Sequence, residues 1–334
     1  MSGRAPAGAD RPPRLAITLG DPRGIGPEVA AAAARHAREH TFRPTLVFVG
    51  PEGTGAEAYA DEFVAVGDWS ESGGEALAGS LAGRAIETAT RLALDGDVDA
   101  IVTAPIDKAA LHAGGYRFPG HTEMLAALAG WREHGADGPP LPVSMMMVAE
   151  RTALGGPLRV VLATTHMALA SVPDALSATL FIEQARLVAD GLRRGWGIAH
   201  PRIALCAVNP HASDGGLFGD EEERILVPAR DALRNDGLDV RGPIPADTVF
   251  VRAIRGEFDA VIAPYHDVGM AAFKTASFGS GVNLTLGLPF VRTSPDHGTA
   301  LDIAGRGVAD PSSMIEAIEL AAHLAREGSK ANLP

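Results

Sequence analysis

Short apolar runs alternate with segments of helical period along almost the whole chain. Leu15–Leu19, Thr45–Gly50, Asp99–Pro105, Leu141–Ala149, Leu158–His166, Pro201–His211 and the run opening at Asp259 each read as one buried strand. Each is short for a helix and closes on Gly, Pro or a polar exit. Helical spacing marks a segment starting near Pro27, then Ala76–Leu94, Ser177–Gly195, a stretch beginning in Phe218–Leu233, and Pro311–Ala325. Pro27 lacks a donor that the first helical position does not need, and Glu28 then sits where the helix dipole favours an acid. Ile106–Lys108 and Gly114–Glu123 read as a long loop carrying His121, Gly242–Phe250 as a loop, and Gly155–Pro157 as a hairpin turn. Strands and helices that alternate through mostly short loops predict an α/β fold.

Composition narrows the partners. A chain of 334 residues can build two domains. The formal net charge of −12 argues against general nucleic-acid binding. It leaves room for a small anionic ligand held by a few local cations. One cysteine, Cys206, excludes a disulfide framework and a Cys-rich zinc fold. The apolar run Met145–Ala149 is too short to cross a bilayer. The opening residues to Pro13 read as disordered and lack the apolar segment of a secretory signal. A cytoplasmic protein with no membrane or nucleic-acid partner is therefore expected.

Candidate chemistry collects where strands end. His166, His211 and His266 are each the first ionisable group after an apolar run. Open α/β sheets present their ligands at the carboxyl ends of strands. Three imidazoles delivered there, at one sheet edge or across a subunit interface, leave positions open on a divalent cation; a structural role is the alternative for each. His121 and Thr122 can donate to an anionic group or simply order a helix start. Lys108, Lys274 and Arg292 are the cations suited to carboxylate or phosphate oxygens. Asp247 and Asp267 suit proton transfer, or the orienting of an imidazole, or helix capping.

Gly24 and Gly26 superficially suggest a dinucleotide fingerprint, but Pro27 and Glu28 follow, and a carboxylate is unwelcome beside a pyrophosphate. The segment Ser294–Pro311 is the other nucleotide candidate. Its glycines and Asp302 can wrap an adenosine, or form two tight turns.

Taken together, the stretches ITLGDPRGIGPE, VTAPIDK, GHTE, LATTH, NPHASDGGLFGDEE, PADTVF, YHDVGMAAFK and FGSGVNLTLGLPFVRTSPDHGTALDIAGRG resemble the 4-hydroxythreonine-4-phosphate dehydrogenases of vitamin B6 synthesis. These are relatives of isocitrate and isopropylmalate dehydrogenases. The resemblance implies two α/β domains with a central cleft and no Rossmann fold. The first domain is residues 1–138 with 290–334. The second, 139–289, carries the metal ligands and the dimer interface. It implies His166, His211 and His266 as ligands of one divalent ion (Zn, Mg, Co or Mn), one of them supplied by the partner subunit of a homodimer. Substrate binding falls to His121, Thr122, Lys274, Asn283 and Arg292. Cofactor binding, NAD or NADP, falls to Ser294, Asp296, His297, Gly298, Asp302 and Gly305. Asp247 or Asp267 is the implied base, with Lys274 assisting. The implied reaction oxidises and decarboxylates 4-phosphooxy-L-threonine to 3-amino-2-oxopropyl phosphate, towards pyridoxal phosphate. Two positions depart from the family: Val268, where Gln is usual, and Ser213–Gly216 (SDGG), where GEGG is usual. Alternatives on the same scaffold are oxidation of phosphorylated threonate or erythronate, oxidation of the cis-dihydrodiol of terephthalate, and non-catalytic binding of a small molecule.

Overall fold

The structure is a computed structural model that describes residues 11–39, 43–135, 138–278 and 281–331. Most of the opening segment expected to be disordered lies outside the described residues. In chain order the strands and helices begin with β1 (Arg14–Thr18), α1 (Gly26–Arg38), β2 (Thr45–Glu52), β3 (Glu62–Asp68), α2 (Gly74–Leu94), β4 (Ala100–Thr103), α3 (Lys108–Ala113) and α4 (His121–His134). They continue with β5 (Ser144–Ala149), β6 (Leu158–Leu162), α5 (Val172–Ala175), α6 (Ala178–Trp196), β7 (Arg202–Cys206), α7 (Val227–Asn235) and β8 (Asp239–Ile244). The last are α8 (Ala246–Ile254), β9 (Ala260–Ala263), α9 (His266–Ser277), β10 (Val282–Leu286), β11 (Val291–Pro295) and α10 (Ser312–Ala331).

Packing divides the chain into Met1–Val143 with Val282–Pro334, and Ser144–Gly281. The division therefore falls after 143 and 281 rather than after 138 and 289. The second shift has a plain cause: β10 pairs antiparallel with β11, so it belongs with the first unit.

In the first unit the strand order is β3-β2-β1-β4-β11-β10, all parallel except β10. Strands covered on both faces read as continuous apolar runs. Leu15, Ala16, Ile17, Phe48, Val49, Ile101 and Val102 are accordingly fully buried. Helix α10 returns to β11, where the Thr293 hydroxyl donates to the Ala317 carbonyl at 2.8 Å. Gly20 has to be glycine: its φ is +71°, and a Cβ there would lie 2.2 Å from the Pro105 carbonyl oxygen. Gly24 and Gly26 serve packing too, lying against Thr299 and the Leu19 carbonyl.

The second unit has strand order β5-β6-β9-β7-β8, with β5 antiparallel to β6 and the rest parallel. Helix α6 shows why its sequence folds as it does. Phe181, Ala185, Val188, Ala189 and Leu192 recur on one face and are buried. The Ser177 hydroxyl accepts from the Leu180 N–H at 3.2 Å at the start, and Gly197 closes the end in the left-handed conformation. Full burial of Phe181 alone contributes roughly 1.5–3 kcal/mol.

Several expectations give way to the structure. The long loop from Ile106 to Glu123 contains α3, capped by the Asp107 carboxylate accepting from the Ala110 N–H at 2.8 Å, and ends in the start of α4. The loop Gly242–Phe250 is instead the end of β8 and the first turns of α8. The polar stretch after Pro264 is helix, with Gly269, Met270, Phe273 and Ser277 forming its buried stripe.

Candidate functional site

In the second unit three parallel strands, β6, β9 and β7, run side by side and each exits towards a histidine. Neighbouring strands lie about 4.8 Å apart, so side chains at corresponding exits fall within reach of one another. The rings of His166 and His266 are 5.6 Å apart, centroid to centroid. They share a pocket of about 410 Å³ with Thr165, Met167, Tyr265 and Asp267. The Thr164 hydroxyl donates to the Pro264 carbonyl at 2.9 Å and ties the two exits together. His266 opens α9, and its Nδ1 lies 2.8 Å from the Asp267 carboxylate. A carboxylate can only accept, so Nδ1 carries the proton and Nε2 keeps its lone pair for a ligand.

His211 leaves β7 on the other side of β9, on a turn of unusual backbone. His211, Ala212, Ser213 and Asp214 have φ of 53°, 55°, 69° and 44°. Left-handed backbone costs a non-glycine residue roughly 1–2 kcal/mol. The His211 side chain is exposed. Among the described residues no three His, Cys, Asp or Glu side chains gather closely enough to hold a metal ion. Of the three histidines, the structure brings His166 and His266 together, and the three do not form one cluster among the described residues. Those two fit a borderline divalent cation: a pair of nitrogen donors, one oriented by a carboxylate, facing an open pocket.

The first unit holds a different kind of site. Arg292, near the start of β11, is 2 % exposed. Its Nη2 and Nε donate to the Thr103 hydroxyl at 2.6 and 3.2 Å, and its Nη1 to the Thr285 hydroxyl at 3.0 Å. Among the described residues it makes no ion pair. Burial pushes its pKa down to about 10, against the upward pull of Glu123, so the guanidinium stays charged at neutral pH. A buried cation without a counter-ion is expensive unless a ligand supplies one.

Around Arg292 stand polar atoms without partners. His121 opens α4; burial and then the Arg292 charge hold its pKa well below the ordinary value, so the imidazole is neutral. Its Nε2 is shielded from solvent and has no hydrogen-bond partner, and the same holds for the Asn283 Oδ1 on β10. Thr122 follows on the same turn and is half-buried. The guanidinium and an imidazole N–H can donate to an anion, whereas the open Asn283 Oδ1 can only accept and suits a hydroxyl or ammonium of a ligand.

Of the segment assigned to the cofactor, Gly305 lines a third pocket, about 670 Å³, with Ala304, Gly307, Pro22, Glu28, Tyr59 and Trp69 among its walls. Glu28 has one carboxylate oxygen buried without a partner. Size, two aromatic walls and an open acceptor suit a nucleoside. His297 Nδ1 is 3.1 Å from the Gly298 carbonyl, so Nδ1 donates and the unpartnered Nε2 is an acceptor. Ser294 is buried, and the Asp296 N–H donates to the Ser313 hydroxyl at 3.0 Å. Asp302 and Gly298 are exposed, and neither they nor Ser294, Asp296 and His297 line this pocket.

Asp247 stands exposed in the first turn of α8, and Lys274 exposed in the last turn of α9. Neither lines the His166–His266 pocket. Lys108 opens α3 and is exposed. His112 has its Nε2 2.9 Å from the Phe118 carbonyl, a structural bond. Sequence reasoning missed Thr103 and Thr285, the hydroxyls that hold Arg292. Thr103 was visible only as the polar exit of a strand.

The model of the pyridoxal phosphate biosynthetic protein PdxA family matches residues 44–321. A 4-hydroxythreonine-4-phosphate dehydrogenase of Methylorubrum populi is 44% identical over 347 residues, covering 96% of each chain. A D-threonate 4-phosphate dehydrogenase of Cupriavidus necator is 42% identical over 344 residues, covering 95% of this chain and 98% of that one. The crystal structure of 4-hydroxythreonine-4-phosphate dehydrogenase from Klebsiella pneumoniae superposes with a TM-score of 0.80 at 39% identity, covering 94% and 99%. With most of its length matched by one family model and by relatives well above 30% identity, this chain belongs to the PdxA family.

Proposed function

We propose that this protein is a metal-assisted, NAD(P)-dependent 4-hydroxythreonine-4-phosphate dehydrogenase of pyridoxal phosphate biosynthesis. The observation that carries the reading is Arg292: a buried guanidinium bonded to two hydroxyls, next to the open valences of His121 and Asn283. Arg292 and His121 can donate to a phosphate or carboxylate, while the Asn283 Oδ1 accepts from a hydroxyl or ammonium of the same ligand. Thr103 and Thr285 fix the plane of the guanidinium, and neutral His121 adds a hydrogen bond without adding charge. Thr122 and Lys274 are assigned to the same substrate from the family motif.

His166 and His266 would hold a divalent cation, with His211 as the third ligand. A cation held there would supply Lewis acidity towards the substrate hydroxyl, and a bound nicotinamide would supply the hydride acceptor. Asp267 keeps the His266 lone pair directed outward. Asp247 and Asp267 remain the candidate bases, and Lys274 the candidate for stabilising the charge left when CO₂ departs. The cofactor is assigned to Ser294, Asp296, His297, Gly298, Asp302 and Gly305. The reading includes a homodimer in which the partner subunit supplies one of the three ligands; among the described residues, His166 and His266 are the pair that comes together.

The neighbouring reading is oxidation of threonate 4-phosphate, favoured by relatives of that name at nearly the same identity. Purified protein, assayed with each nicotinamide cofactor and a divalent metal on phosphorylated hydroxythreonine, phosphorylated threonate and a carboxylated dihydrodiol, separates them. Hydroxythreonine phosphate is expected to give kcat/KM at least about tenfold above threonate phosphate, because a pocket built to hydrogen-bond one group rejects its replacement. The reverse order assigns the second reading. No turnover with any substrate overturns both.

A further inference from the structure

The turn that carries His211 has four consecutive non-glycine residues in the left-handed region. Such a run persists only where its surroundings hold it, and strain of this kind concentrates at functional sites. Here the surroundings amount chiefly to one carboxylate. Glu222 is 3 % exposed. Its Oε1 accepts the backbone N–H of Val208 at 2.8 Å and of Asn209 at 2.7 Å. Its Oε2 accepts from the Asn209 side-chain amide at 2.9 Å and from the Ser213 hydroxyl. The bonds therefore bracket His211, ending two residues before it and two residues after it. The Asn209 amide is further fixed by Glu221 at 2.7 Å. Glu222 itself opens a single wide turn, Glu222–Leu226, ahead of α7, and Leu226 in that turn is fully buried. The clamp is thus anchored in the core rather than floating with the loop.

We propose that Glu222 is the positioning residue for His211, its carboxylate holding the strained turn in the one backbone arrangement from which the exposed imidazole can serve as a ligand. This rests on the reading of His211 as a metal ligand. Glu222 touches neither substrate nor metal; it acts through Asn209 and Ser213.

The two oxygens divide the work, which makes the proposal testable in parts. Glu222→Gln keeps Oε1 for the Val208 and Asn209 backbone donors, but sets an amide donor against the Asn209 amide. Glu222→Ala removes both halves. Full-length apoprotein is titrated with Co²⁺ alone by calorimetry for wild type, Glu222→Gln, Glu222→Ala, His211→Ala and the double variant His211→Ala with Glu222→Ala. Glu222→Ala is expected to weaken Co²⁺ binding about 10- to 100-fold, the range seen when an orienting partner of a ligand is lost. Glu222→Gln is expected to fall between wild type and Glu222→Ala. In the His211→Ala background, removing Glu222 is expected to cost nothing further. Hydrogen exchange at the amides of residues 209–214 is expected to quicken in both single Glu222 variants.

Wild-type affinity in Glu222→Gln and Glu222→Ala, with His211→Ala impaired, overturns the proposal and leaves His211 as a ligand. An equal loss with and without His211 overturns it as well, since Glu222 then supports the fold generally. If His211→Ala binds Co²⁺ as wild type does, or wild type binds none, the ligand reading fails and the proposal falls with it. Should Glu222→Ala not fold, Glu222→Gln carries the same comparison.

Discussion

The imidazoles of His166 and His266 lie 5.6 Å apart at the exits of two neighbouring parallel strands, β6 and β9. Sequence separates them by a whole α/β segment; the sheet brings them together. Replacing either by Ala removes one of the two imidazoles that line this pocket. His166→Ala is expected to weaken Zn²⁺ or Co²⁺ binding by at least about tenfold and to lower turnover in parallel. Equilibrium dialysis with metal analysis checks this, and unchanged metal content would make His166 a bystander.

Arg292 makes a separable prediction. Arg292→Leu is expected to raise KM for the phosphorylated substrate roughly 10- to 100-fold, the worth of a charged hydrogen bond of about 1.5–3 kcal/mol. Binding of NAD alone, followed by tryptophan fluorescence, is expected to stay near wild type. Thermal stability is expected to hold or rise, because the variant no longer buries a cation without its counter-ion. Equal loss of substrate and NAD binding would assign Arg292 to the fold.

Acid should weaken the second unit through Asp259. Burial pushes its carboxylate pKa up, but the hydrogen bonds from Arg202 outweigh that and leave the pKa below the ordinary value. A depressed carboxylate adds stability above its unfolded pKa, about 3.9, and loses it as pH falls through the lower folded value. Urea midpoints of wild type and Asp259→Asn are expected to differ most near neutral pH and to approach each other below about pH 4. A gap that does not change with pH would contradict this.

Gly20→Ala is expected to destabilise strongly, by about 2 kcal/mol or more, since it combines an unfavourable φ with a collision against backbone. Denaturant unfolding measures it. A cost under about 0.5 kcal/mol would show that the Gly20 loop relaxes freely.

How much of this was legible beforehand follows from where the information lies. The apolar runs at Leu15, Thr45 and Asp99 announce parallel strands because both faces are covered. Strand β3 was missed because it is an edge strand, half-exposed along its length, and its four-residue apolar run, Phe63–Val66, is short and flanked by acids. Helix α9 was missed for a related reason: its sequence was read for chemistry at His266, Asp267 and Lys274, while its buried stripe of Gly269, Met270 and Phe273 is small and mixed. The meeting of His166 and His266 was foreseeable from position, since a histidine at a strand exit is where α/β sheets place their ligands. The hydroxyls around Arg292 and the carboxylate behind His211 were not. Their roles depend on pairings between residues far apart in the chain, and residue type alone does not reveal them.

The first unit is built from both ends of the chain, and that has a consequence for its synthesis. Strand β11, which lies between β4 and β10, leaves the ribosome only after residues 144–281 have been made. Until then β4 has an unpaired edge, open to wrong partners, while the contiguous second unit already has all its strands. The second unit should therefore become protease-resistant on nascent chains before the first does. Resistance of the amino-terminal segment on chains truncated near residue 280 would show the opposite order.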